Sequence, residues 1–340
     1  MHYLVTGHTG FKGSWLIQLL TEKGHEVSGI GLNPIPRALF TEANLSSKLK
    51  NDLRIDVRDK GAIRSTVAAI QPDVIVHLAA QALVRESYNS PSATFETNVM
   101  GTLNILDAAI NCCEPKATLV ITTDKVYKNR DKLAGYIESD EIGGDDPYSA
   151  SKAAADIAAQ SWIRNFSNHP ISIARAGNVI GGGDWATDRI IPDLVNSFLN
   201  GKAPILRYPE AVRPWQHVLD CLNGYLVLID SMILSGVMGE WNFGPRIETK
   251  QNVRAMTEAA MKYWGLESNW LLDPNANPHE ASYLLLDSTK ARTQLGWRDK
   301  LGFNETIRWT LDFYREANYG KNVGDLLTNQ TKNYLDLVSE

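Results

Sequence analysis

A chain of 340 residues, 44% hydrophobic and 21% charged, has room for one large domain or two smaller ones around a shared cleft. Its formal net charge of -5 argues against a general nucleic-acid binder or an anionic-membrane binder, while leaving room for local basic sites. The three cysteines, Cys112, Cys113 and Cys221, form no CxxC pair, so neither a disulfide framework nor a zinc site is implied and no metal is expected; such usage suits a reducing cytoplasm.

The first residues, Met1 to Gly7, carry no basic segment or long apolar stretch of the kind a signal peptide needs. No uninterrupted apolar run approaches the ~20 residues of a spanning helix. The longest, near Tyr225 to Leu234, is broken by Asp230 and Ser231. Strands are predicted at Tyr3–Val5, Val27–Leu32, Val74–Leu78, Thr118–Ile121 and Ser172–Arg175, with a further one just before Asp56. Helices are predicted at Ser14–Glu22, Ala62–Ile70, Asn98–Ala109 and Ser149–Phe166. Such alternation gives a parallel sheet covered on both faces and, with right-handed crossovers, an α/β doubly wound (Rossmann-type) fold. After Gly177 the chain becomes rich in Gly, Pro and Trp, and long functional loops are expected there. The expected division is residues 1–176, with a returning segment at about 215–243, for the dinucleotide, and 177–214 with 244–340 as a smaller substrate-binding domain.

The first strand runs into Thr6-Gly7-His8-Thr9-Gly10-Phe11-Lys12-Gly13 and then a helix. Three glycines at this spacing allow a tight turn, backbone contact with a pyrophosphate and close helix–strand packing. The helix start offers free N–H donors to the phosphates. Gly7, Thr9, Gly10, Phe11 and Gly13 are therefore the candidates to hold a nicotinamide dinucleotide. Strand two ends in Leu32-Asn33 rather than an acid. Asn33 can bond a ribose hydroxyl, Arg37 could favour a 2′-phosphate, and this strand leaves NAD and NADP both open. Asp56, with Val57 beside it, is placed to meet the adenine.

Asp146-Pro147-Tyr148-Ser149-Ala150-Ser151-Lys152 opens a helix on which Tyr148 and Lys152 share a face. An ammonium beside a phenol is expected to lower its pKa from about 10 toward a usable base.

Glycines 7, 10 and 13 with Tyr148 and Lys152 resemble the extended short-chain dehydrogenase/reductase family. His77-Leu78-Ala79-Ala80-Gln81 is similar to its fourth-strand motif, Asn98-Val99-Met100-Gly101-Thr102 to the helix after it, and Arg175 to Gly181 to its substrate-domain entrance. The resemblance implies that NAD is the cofactor and that Ala79, Ala80, Gln81 and Asn98, with Tyr148 and Lys152, line its site. It also implies a homodimer built on the Asn98–Ala109 and Ala-rich Ser149–Phe166 helices. Where simple epimerases of this family have Ser or Thr followed by no acid/base pair, this chain has Thr123-Asp124-Lys125. Oxidising a sugar carbon acidifies its neighbour; one titratable group can then remove that proton while another protonates the departing hydroxyl. Such a pair points to 4,6-dehydration of a hexose, with Thr123 holding the 4-oxygen; which of Asp124 and Lys125 is base and which acid stays open. Thr-Asp-Lys, Gly-His-Thr-Gly-Phe-Lys-Gly-Ser-Trp, Gly-Gly-Asp-Trp-Ala-Thr-Asp-Arg and Arg-Pro-Trp-Gln-His-Val look most like the CDP-glucose 4,6-dehydratase branch. That branch implies a CDP-glucose substrate; a GDP-, UDP- or dTDP-linked sugar, an epimerase, or a non-catalytic dinucleotide sensor are the alternatives. A nucleotide diphosphate needs cations and donors, for which Arg85, Asn178, Arg189 and Arg213 are candidates, with Trp185 packing near the base and His217 on the same stretch.

Overall fold

The computed structural model describes residues 1–246, 250–275 and 281–339. Seven strands form the central sheet: β1 (His2–Thr6), β2 (Glu26–Gly31), β3 (Asn51–Arg54), β4 (Val74–His77), β5 (Ala117–Ile121), β6 (Ile171–Ala176) and β7 (Gly239–Phe243). Their order is β7-β6-β5-β4-β1-β2-β3, and every neighbouring pair is parallel. The order reverses between β1 and β4, so a crevice opens above their carboxyl ends, where open α/β sheets bind ligands. The central strands are buried along nearly their whole length and carry continuous apolar runs (Leu4 and Val5, Val74 to Val76, Leu119 to Ile121), as expected when both faces are covered.

The connecting helices are α1 (Phe11–Glu22), α2 (Lys60–Ile70), α3 (Gly101–Cys112), α4 (Pro147–Asn165), α5 (Ile190–Leu199), α6 (Val218–Ser235), α7 (Val253–Trp264), α8 (Phe303–Asn318) and α9 (Val323–Ser339). On one face of the sheet Ile63, Val67, Ile105 and Ala108 of α2 and α3 pack on Leu4, Ile30 and Ile75. On the other, Trp15 to Leu20 of α1 and Leu219 to Ile229 of α6 pack together with Leu326, Leu327 and Tyr334 of α9. By length and composition α6 could cross a membrane, but it lies in this core with most of its side chains buried.

The long loops expected after Gly177 are in part helices: α5 to α9 each exceed nine residues. In α8 the buried set Ile307, Thr310, Leu311 and Tyr314 recurs at helical spacing, although Gly, Pro and Trp dominate the flanking sequence. A second apolar cluster joins α5, α7 and α8 through Ile191, Leu194, Phe198, Trp215, Met256, Met261 and Leu311. It stands over the strand ends as the far wall of the cleft. The helix expected at Asn98–Ala109 begins its regular turns only at Gly101, because residues 96–100 form one wide turn of the π type.

Candidate active site

A cleft of about 790 Å³ runs from the glycine turn across the ends of β4 and β5 to the wall formed by α5 and the segment 205–215. At its first end Gly7 takes φ +71°, and a Cβ there would stand 2.7 Å from the Ala79 nitrogen. A Cβ on Gly13 would fall 2.4 Å from the Gly7 carbonyl oxygen, so α1 packs on the strand turn through bare backbone. Gly10 caps α1, and the first-turn amides of Phe11, Lys12 and Gly13 have no carbonyl four residues back to bond within the helix. The turn has a hard floor: His8 is fully buried, its Nε2 2.7 Å from Asp52 Oδ1, and it fills the space beside Gly29, where a Cβ would lie 2.4 Å from the imidazole Cδ2. Thr9 donates from Oγ1 to the Leu32 carbonyl at 3.0 Å, tying the turn to the end of β2.

At the centre, β5 delivers Thr123, Asp124 and Lys125, and α4 delivers Tyr148 and Lys152; all five line the cleft. Asp146 caps α4, its Oδ1 accepting from the Ser149 amide at 2.9 Å, and Pro147 opens the helix. Tyr148 and Lys152 are buried, and the lysine ammonium donates to the Ile121 carbonyl at 2.8 Å. Burial, with Lys12 nearby, brings Lys152 down to about 8. The expectation of an acidified phenol is corrected: burial pushes Tyr148 up to about 12, a hydrogen bond with Thr123 and the charge of Arg189 only partly offsetting it. Desolvation of the anion outweighs the neighbouring cations here, and it cannot be read from side-chain spacing. Asp124 is 2% exposed; burial pushes its carboxyl upward, with Lys125 and Thr123 opposing. Its Oδ1 accepts from Thr123 Oγ1 at 2.9 Å, and its Oδ2 has no hydrogen-bond partner and faces Gly177. That upward shift favours the protonated form of the carboxyl.

The remaining candidates divide. Thr9, Phe11, Val57, Ala79, Ala80, Arg85, Asn178, Arg189 and Arg213 line the cleft. Arg189 reaches Asp184 at 3.2 Å and Arg213 donates to the Val212 and Ala281 carbonyls. Gln81 and Asn98 lie behind the lining: Asn98 Oδ1 accepts from the Gln81 amide at 2.8 Å, and Asn98 Nδ2 donates to Ser151 on α4 at 2.8 Å. They brace the wall against the catalytic helix. Asp56 is held by Arg58, which keeps it below the usual carboxylate range, and with Asn33 it stands at the rim. Arg37 is not positioned for a 2′-phosphate: its guanidinium stacks 3.6 Å from the centre of the Trp185 ring. Trp185 in turn meets Tyr314 edge-on and lies outside the lining, so it packs on the wall instead of on a base. His217 is also corrected: it is fully buried between Trp15 and Trp309, its Nδ1 accepts from the Leu219 amide as the cap of α6, and burial brings it down to about 3. Two cations outside the candidate set also line the cleft: Arg207, and Lys12 inside the glycine turn, with Nζ 3.4 Å from Tyr225 Oη. The position of Lys12 in the first turn of a phosphate-facing helix was the available signal.

A doubly wound sheet with a glycine turn at β1 and a Tyr148/Lys152 pair facing the same crevice defines a short-chain dehydrogenase/reductase of the extended type. More narrowly, the chain belongs to the GDP-mannose 4,6 dehydratase family, which it matches over residues 4–310. It is 44% identical over 314 residues to a CDP-glucose 4,6-dehydratase of Salmonella typhimurium, covering 89% of this chain and 87% of that one. It is 30% identical over 352 residues to a probable dTDP-glucose 4,6-dehydratase of Sinorhizobium fredii, covering 94% of each. Among solved structures it is similar to a dTDP-glucose 4,6-dehydratase of Streptomyces venezuelae with NAD bound, at a TM-score of 0.81 and 26% identity over 93% of this chain and 97% of that one.

Proposed function

We propose that this protein is a CDP-glucose 4,6-dehydratase, converting CDP-glucose to CDP-4-keto-6-deoxyglucose by internal oxidation–reduction and loss of water. The observation that carries the reading is the Thr123-Asp124-Lys125 segment in the same cavity as Tyr148 and Lys152. The likeness to the Salmonella enzyme supports the choice of CDP-glucose.

The glycine turn fits NAD: Gly7 and Gly13 leave backbone where a side chain would collide, and the first amides of α1 face the cleft. Gly7, Thr9, Gly10, Phe11 and Gly13 would hold the diphosphate, with Val57, Ala79 and Ala80 beside the remainder. When bound, NAD supplies a reversible hydride acceptor and, oxidised, a fixed positive charge near the buried phenol. Tyr148 would give up its own proton to solvent once the positive charges of the oxidised cofactor and of Lys152 offset its burial, and as phenolate it would take the proton of the 4-hydroxyl, with Lys152, anchored to Ile121, orienting it. Thr123, hydrogen-bonded to Tyr148, holds the 4-oxygen. Lys125, at the more open side of the pair, removes the C5 proton. Asp124, whose protonated form burial favours, gives its proton to the departing 6-hydroxyl.

Arg189 and Arg213 neutralise the substrate diphosphate, and Arg85 and Asn178 hold its sugar side. Residues 1–176 with 215–243 carry the cofactor and 177–214 with 244–340 the nucleotide sugar, although α9, at the end of the second unit, packs against α1 of the first. The enzyme works as a cytoplasmic homodimer through α3 and α4, a reading supported by Phe95, Met100 and Ile157, which stand exposed on or beside those helices. Incubation with CDP-, dTDP-, GDP- and UDP-hexoses in deuterated water tests the reading: a 4-keto product from CDP-glucose with deuterium at C5 is expected. Absence of a 4-keto product from every one of them would overturn it.

A further inference from the structure

Past the catalytic residues the cleft ends on a carboxylate that the mechanism does not use. Asp193 stands in the first turn of α5 and lines the cleft beside Arg85, Asp188 and Arg207. The two guanidiniums converge on Asp188 rather than on Asp193: Arg85 Nε is 3.5 Å and Arg207 Nη1 3.4 Å from Asp188 Oδ1, and Arg207 Nη2 donates to the Asp188 carbonyl at 3.2 Å. Among the described residues no hydrogen bond or ion pair holds the Asp193 carboxylate. Asp193 is solvent-exposed on the cleft wall; partial desolvation, with Asp188 nearby, raises its carboxyl to about 6 against the opposing charges of Arg207 and Arg85, so at neutral pH it is an anion. Ile205, 59% exposed, lines the same cleft and offers an apolar edge to a flat ring.

An anion with no direct hydrogen-bond partner, on the wall of a site that must admit a diphosphate, is best matched by a nucleotide that brings a donor to it. With the sugar at Tyr148 and the diphosphate at Arg189 and Arg213, the part of the nucleotide that reaches α5 is the base. Cytosine presents an exocyclic amine there; uracil and thymine present a carbonyl in the same place. On the reading of this cleft as a nucleotide-sugar site, we propose that Asp193 reads the nucleobase, accepting a hydrogen bond from the 4-amino group of cytosine and repelling the 4-carbonyl of uracil or thymine. Selectivity for CDP then arises as much from rejection of the wrong base as from attraction of the right one.

The test is calorimetric titration of the full chain with CDP, UDP and dTDP, for wild type, Asp193→Asn and Asp193→Ser. Wild type is expected to bind CDP about 10- to 100-fold more tightly than UDP, the range of one good base contact. In Asp193→Asn the ratio should fall to near unity, CDP weakening while UDP strengthens, because the amide can donate to the carbonyl. A purely structural role would weaken both together. Equal wild-type affinities for CDP and UDP, or a wild-type ratio surviving in both variants, would overturn the assignment. Failure of the two readings is separable. A CDP preference that depends on Asp193 without any 4-keto product removes the dehydratase and keeps the base reader. Turnover of CDP-glucose with a ratio indifferent to residue 193 does the reverse.

Discussion

Replacing Asp124 by Asn removes one proton from the centre of the site and changes little else. The carboxyl is 2% exposed, Oδ1 accepts from Thr123 at 2.9 Å, and Oδ2 points at Gly177 without a partner. An amide of the same shape keeps the acceptor for Thr123 and puts its NH2 where the acid proton was. Stability should therefore move by no more than about 1 kcal/mol, the scale of one hydrogen bond. Loss of a positioned general acid lowers the rate by about 10²–10⁴, or about 2.7–5.5 kcal/mol of barrier. The assay is 4-keto product formation, read together with the absorbance of enzyme-bound reduced cofactor and with solvent deuterium at C5. Asp124→Asn should oxidise the sugar, accumulate the reduced cofactor and still exchange C5, since Lys125 is intact. Lys125→Met should oxidise the sugar without exchange. Dehydration by Asp124→Asn at the wild-type rate would refute the reasoning, and loss of C5 exchange in Asp124→Asn but not in Lys125→Met would reverse the roles.

Two further outcomes follow from the geometry. Gly13→Ala forces a Cβ to within 2.4 Å of the Gly7 oxygen and 2.6 Å of the His8 Cα, an overlap of the kind that costs about 1–3 kcal/mol; cofactor affinity by fluorescence titration should fall at least about ten-fold, and unchanged affinity would contradict the turn's role. His77 and His217 are both brought down to about 3 by burial, so the unfolded chain binds more protons than the folded one between pH 3 and the ordinary histidine value, and stability is lost as pH falls through that window. At pH 4.5 each contributes about 2–3 kcal/mol of that loss; His217→Asn, which keeps an acceptor for the Leu219 amide, should flatten the fall in melting temperature below pH 6.5, and an unaltered slope would refute the assignment.

The glycine turn was legible in the sequence because each position answers to a collision or a dihedral that only glycine avoids, and those constraints are local. Tyr148 and Lys152 were legible because four residues along a helix is one face. The direction of the Tyr148 shift was not, since the cost of burying a phenolate depends on everything packed around it and the spacing shows only its partner. Arg37 and Trp185 meet across 148 positions, and nothing near either one announces the stack. His217 and Trp185 sit in strings that resemble a substrate-binding stretch, yet packing turns both away from the cleft. Asn98 was recognised in the right place, but its side chain is spent on Gln81 and Ser151 behind the wall. The helices after Gly177 were hidden by punctuation residues that belong to their connections.

The imidazole under the phosphate turn carries a consequence for how such sequences can drift. Gly7 and Gly13 are closed by main-chain atoms, so no change elsewhere can open them. Gly29 is closed by one side chain alone, that of His8. Positions 8 and 29 should therefore covary across relatives: where evolution has put a small residue at the first, the second is released to carry a β-branched side chain in the strand, whereas a side chain at 29 is excluded while the imidazole remains.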